Sequence, residues 1–194
     1  MWGSEFVKNP DKPASGPIPR HELKFYINAA GREHLRANLK CVLRPDPNGG
    51  PAGEYAIRSL YFDDLYDRGY YDKLDGMADR EKYRVRIYNL SDRRIYLERK
   101  RKVGDLIEKS SASIDRPLLQ RILSGDPEGL ERSDEPLLQD LFRAMRLRFL
   151  RPAVIVDYMR EAHLHPAQRT RVTFDTRVRS GMFHFNLFDP RLPL

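Results

Sequence analysis

The chain has 194 residues, 40% hydrophobic and 32% charged, with a formal net charge of +7 and a pI near 9.6. That length supports one domain with a real core, and the charge suits an anionic partner: nucleic acid, a membrane surface or a phosphorylated small molecule. A single cysteine, Cys41, excludes a disulfide framework and a cysteine-based zinc site and fits a reducing compartment; no apolar run reaches the roughly 18 residues of a membrane span, and no signal-peptide h-region is visible.

Residues 1–6, MWGSEF, have the character of a vector-derived leader, and VKNPDKPASGPIP after them reads as a flexible lead-in. The domain is therefore expected over residues 20–194. In ELKFYIN, Leu23, Phe25 and Ile27 alternate with Glu22, Lys24 and Tyr26, which predicts a strand. GREHLRANLKCVL spaces Leu35, Leu39 and Leu43 as a helix would. IRSLYFDD follows as a strand, and Tyr66, Tyr70 and Tyr71 are read as helix packing rather than a base-stacking platform. KYRVRIY sets Tyr83, Val85 and Ile87 against Lys82, Arg84, Arg86 and Tyr88. RIYLERK sets Ile95 and Leu97 against Tyr96, Glu98 and Lys100, and NLSD predicts the hairpin turn between the two. Arg99, Arg101 and Lys102 are placed on the outside. DRPLLQRILSGD opens with a capping Asp and a first-turn Pro and stops at Gly125. EPLLQDLFRAMRLRFL presents Leu137, Leu138, Leu141, Phe142 and Met145 as one stripe. AVIVDYMRE is a strand, His163 and His165 are read as structural, and RTRVTFD sets Val172 and Phe174 against Arg171, Thr173 and Asp175.

The predicted class is α+β, with a curved or closed antiparallel sheet. Each strand has one apolar face and one face mixing Arg or Lys with an occasional acid. Curling the sheet would turn the charged faces inward. A cavity so lined needs internal pairing or an anionic guest, because buried like charges cost several kcal/mol each. The pattern therefore points to a multiply charged anionic ligand, with a metal on the acidic residues.

Six motifs in order, RHELKF, SLYFDD, KYRVRIY, LERKRK, VDYMREA and RVTFD, resemble the vacuolar transporter chaperone (VTC) domain. This is the polyphosphate polymerase branch of the triphosphate tunnel metalloenzymes, relatives of the CYTH phosphatases. The resemblance runs from about Arg20 to about Pro190 and implies an antiparallel β tunnel flanked by helices. It implies ATP bound with its triphosphate in the tunnel, and transfer of the γ-phosphoryl group to a growing polyphosphate chain with Mn²⁺ or Mg²⁺. By motif, the phosphate-binding residues would be Lys24, Arg84, Arg86, Lys100, Lys109, Arg160 and Arg171. The metal ligands would be Glu22 and Glu98, with Asp175 secondary. Two departures stand out. Arg20 replaces the first glutamate of the phosphatases' E-x-E-x-K, which points to the polymerase branch. The family's C-terminal E-x-K strand does not precede Leu194, so a truncated tunnel lacking its last strand is expected. The alternatives are a non-catalytic module for polyphosphate or inositol phosphates, and a triphosphate hydrolase. No nucleic-acid recognition motif is present. A cytoplasmic location is expected, with membrane association through a partner protein.

Overall fold

Period-2 alternation predicts strands that are apolar on one side, and the computed structural model shows how those sides are used. It describes residues 21–104, 106–167, 170–182 and 184–193. The predicted leader and lead-in, and Arg20, lie outside these residues. In chain order the elements are α1 (Ala29–Leu39), β1 (Arg44–Pro45), β2 (Glu54–Asp63), α2 (Arg68–Leu74), β3 (Arg80–Tyr88), β4 (Ser91–Val103), β5 (Leu106–Ile114), α3 (Arg116–Leu123), a short 3₁₀ turn, α4 (Pro136–Arg148), β6 (Arg151–Leu164) and β7 (Arg171–Gly181). The strands form one antiparallel sheet in the order β5-β4-β3-β2-β6-β7, with β1 pairing the end of β6 beyond β2. The sheet curls into a half-barrel.

The apolar faces lie on the convex side. Leu60, Val85, Ile87, Ile95 and Leu97 are fully buried there against Leu119 and Ile122 of α3 and Leu141 of α4. Both helices obey their sequence signals. Asp115 caps α3, its carboxylate accepting from Leu118 N at 2.9 Å, and Gly125 ends the helix at a φ of +75°. The stripe of α4 buries Leu137, Leu138, Leu141 and Met145. The β3–β4 turn has positive φ at both Asn89 and Leu90, the primed geometry that matches strand twist. Asn89 Oδ1 accepts from Ala56 N at 2.9 Å, tying the turn to β2, and Leu90 packs on the core. Arg58, 3% exposed, donates to Asp157 at 3.0 Å and to the carbonyls of Leu187 and Asp189, fixing the last described segment to the sheet.

Three expectations are corrected. ELKFYIN is not a strand: residues 21–28 pair with no neighbour among the described residues, and Leu23 and Phe25 are each 79% exposed. Alternation specifies a strand only where a ladder partner exists to use it. Tyr66, Tyr70 and Tyr71 are exposed rather than packed: α2, which carries the last two, buries none of its residues, and Tyr66 precedes it. Lys102 is not outside: it shares the parity of Lys100 on the opposite face, whereas Arg99 is on the outer, convex side as expected, ion-paired there with Asp140 of α4. His163, by contrast, is 2% exposed, with Nε2 3.1 Å from Glu161, a structural placement as expected. No helix among the described residues is long and apolar enough to cross a membrane.

Candidate anion-binding face

The concave side of the sheet collects the polar halves of the strands. The register sets Tyr61 beside Arg84, Arg84 beside Glu98, and Glu98 beside Ser111, so one row crosses four strands. The next row joins Ser59, Arg86 and Tyr96. At the centre stands Glu98, 3% exposed. Arg84 Nε donates to it at 2.6 Å, Lys109 Nζ lies 2.5 Å away, and Arg86 Nη1 is at 3.9 Å. One carboxylate thus serves three cations.

Neutral hydroxyls aim the guanidinium groups. Arg84 Nη1 donates to Tyr61 OH at 3.0 Å, Arg86 Nε to Ser59 Oγ at 3.1 Å, and Arg86 Nη2 to Tyr158 OH at 3.0 Å. These contacts fix the two forks without neutralising them. Further along the same face Arg160 stacks over the Tyr158 ring at 5.2 Å and makes a bidentate pair with Asp175, both contacts at 2.7 Å. Lys100 Nζ lies 2.7 Å from Glu22.

The charges shape one another. Burial alone would raise the Glu98 carboxyl, but Arg84, Arg86 and Lys109 hold it at about 2. Burial pulls the Lys109 ammonium below its usual range against the pull of Glu98. Burial opposes the charge on Arg84, yet Glu98 and Tyr61 more than compensate and raise it. The Tyr61 phenol, which burial would raise, is lowered by Arg84, whereas burial wins at Tyr158 and raises it.

The structure brings Arg84, Arg86, Lys109 and Glu98 into direct contact, with Lys100, Glu22, Arg160 and Asp175 on the same face. Two motif residues stand apart. Lys24 is not on a strand; its ammonium is largely exposed, 3.5 Å from Glu22. Arg171, at the start of β7, shares the parity of Asp175 and so the same face, but it donates to Asp46 and to Tyr55 OH, each at 2.7 Å, rather than joining the Glu98 cluster. Ser59, Tyr61 and Tyr158 were not singled out from sequence. The alternation of IRSLYFDD could have found the first two, since it puts Ser59 and Tyr61 on one face. A cavity of about 380 Å³ between α3 and residues 185–188, lined by Leu119, Leu123, Phe185 and Phe188, borders the helices that cover the convex side, apart from this cationic convergence.

Mn²⁺ and Mg²⁺ prefer several hard oxygen ligands. Among the described residues no three His, Cys, Asp or Glu side chains converge to supply them. Glu22, Glu98 and Asp175 are separate, and each is already ion-paired with a Lys or Arg. These residues do not fit a metal site built by the protein alone.

The fold and this face agree with what sequence comparison finds: the VTC domain family profile matches residues 19–187. The chain belongs to the VTC domain family. No curated protein sequence matches it. Among solved structures, the VTC domain is similar to a protein of Bacillus halodurans provisionally described as an adenylate cyclase. The TM-score is 0.52 at 13% identity, over 86% of this chain and 74% of that one. At that identity the likeness establishes the shared tunnel-like architecture.

Proposed function

We propose that this VTC domain binds the phosphates of ATP or polyphosphate on its concave face and transfers the γ-phosphoryl group to a polyphosphate chain. The observation that carries the reading is the cluster of Arg84, Arg86 and Lys109 around one carboxylate, with hydroxyls orienting both arginines. Phosphoryl transfer needs little covalent help from protein. It needs neutralisation of the non-bridging oxygens and in-line positioning. Arginine forks grip two oxygens each, and Lys100 and Lys109 add point charges. A second reading, binding without turnover, draws on the pairing of every candidate metal carboxylate with a cation. A hydrolase would use the same contacts and differ in its acceptor, water.

The test begins with thermal unfolding in tripolyphosphate, with sulfate at matched ionic strength. A ligand at about 100 times its Kd adds roughly 2.7 kcal/mol, a shift of several degrees for a domain of this size. A shift with tripolyphosphate and none with sulfate is expected; equal shifts would remove the tunnel reading. Incubation with γ-labelled ATP then separates the rest. Label in a chain means polymerase, label in orthophosphate means hydrolase, and neither, with binding intact, means a binding module. Parallel runs with Mn²⁺ and with chelator show whether a metal carried on the phosphates takes part.

A further inference from the structure

The register places three lysines in one row across three strands. Lys82 of β3 stands opposite Lys100 of β4, and Lys100 stands opposite Lys109 of β5. Like charges directly opposite destabilise a sheet, so the row needs a compensating partner. Two of the three have one inside the protein: Lys109 pairs with Glu98, and Lys100 with Glu22. Among the described residues no carboxylate oxygen lies within 4.0 Å of the Lys82 ammonium. The acid that acts on it, Asp63, is engaged elsewhere through one oxygen. Its Oδ1 accepts from Gly69 N at 2.8 Å and from Asp64 N at 2.9 Å, holding the start of α2. The other groups that act on Lys82 are Lys73 and Arg80, both cationic, and the Tyr61 phenol. Nor does Lys82 point free into solvent. It is half-buried, and burial, with Lys73 and Arg80, depresses its ammonium against the pull of Asp63.

Lys82 lies two residues before Arg84, hence on the same face and about 6.6 Å along it. We propose that Lys82 is a further anion-contacting residue, binding a phosphate group of the same linear anion that Arg84 and Lys109 hold. This rests on the triphosphate-binding reading above and adds a contact to it at the lysine-row end of the face. Its partner is absent from the protein because the ligand supplies it.

The experiment compares the wild-type chain with Lys82→Met, which keeps the stem and removes the charge, and Lys82→Arg, which restores a cation. Calorimetric titration with tripolyphosphate at fixed ionic strength gives the affinities. Losing one charge-assisted contact is expected to weaken binding by about tenfold in Lys82→Met, with recovery in Lys82→Arg. In parallel, acetylation of the wild-type chain is read by mass spectrometry with and without tripolyphosphate, which needs no variant to fold. Lys82 is expected to be protected by the anion and not by sulfate. Wild-type binding with an undiminished Lys82→Met affinity, or with Lys82 acetylated equally in both conditions, overturns the assignment of Lys82 alone. A wild-type chain that does not bind tripolyphosphate overturns the assignment together with the function it rests on.

Discussion

Glu98 is the residue on which the concave face depends. It is buried among Arg84, Arg86 and Lys109, so removing it leaves three cations facing one another with no carboxylate between them. Breaking a buried pair from one side costs more than the pair itself contributes. Glu98→Gln is expected to lower stability by about 3 kcal/mol at neutral pH, measured by urea unfolding with the slope unchanged. The pH dependence has a definite sign. The carboxyl is held at about 2 against an ordinary 4.5. Its contribution is therefore complete above about pH 4.5 and is lost as pH falls through 2. The gap between wild type and Glu98→Gln should close over that window. A variant as stable as wild type at pH 7 would mean that the arginines are solvated rather than held. Tyr61 and Tyr158 matter at the same scale for another reason: each orients a guanidinium while leaving its charge available.

Among the elements, α1 is attached in an unusual way. It buries none of its residues. Asn28 caps it, accepting from Gly31 N at 2.7 Å, and Arg32 and Arg36 reach Glu161 of β6 at 3.0 and 2.7 Å. Arg32 also reaches Glu54 of β2 at 2.9 Å. The helix is held by ions rather than by apolar area. Glu161→Gln should therefore raise hydrogen exchange across Ala29–Leu39 while the amides of β3 and β4 stay protected. Unchanged protection of α1 would show that these ion pairs do not hold it. The same helix shows the limit of reading sequence alone. Leu35 and Leu39 gave the helix its period, yet Leu35 is 42% exposed, and no local pattern announces a partner 125 residues away such as Glu161. Strands β3 and β4 were legible because their alternation was strict and their turn was short. The ELKFYIN segment alternates just as strictly, but pairing is a property of two segments, and no described segment pairs with it.

At the scale of the molecule, the sheet separates an apolar convex side under α3 and α4 from a charged concave side. This separation was legible from the strand faces, and so were Arg84 and Arg86; Lys109 came only from the resemblance of motif, because no alternation marked its strand, β5. The bracing by Ser59, Tyr61 and Tyr158 was not legible, since it depends on which strand lies beside which. It depends also on register, which a one-residue slip would reverse. The concave face carries Lys82, Arg84, Arg86, Lys100, Lys109 and Arg160 against Glu22, Glu98 and Asp175. A linear phosphate chain spanning several of these contacts should release its own counter-ions as it binds. Affinity for tripolyphosphate should then fall steeply with salt, and more steeply than for orthophosphate, when both are titrated from low to physiological ionic strength. Equal slopes would indicate that only one or two contacts form.

The carboxylates on that face have a consequence beyond stability. If the proposed phosphate ligand engages Arg84 and Lys109, Glu98, tethered beside them, acts as a competitor whose local concentration never changes. An incoming oxyanion has to outbid it at several positions together. A single phosphate or sulfate group gains too little to do so, whereas a chain of linked phosphates exchanges several contacts in one event. The face would then discriminate by valence rather than by shape. Removing the tethered competitor should blur that discrimination, narrowing the gap in affinity between simple anions and polyvalent ones.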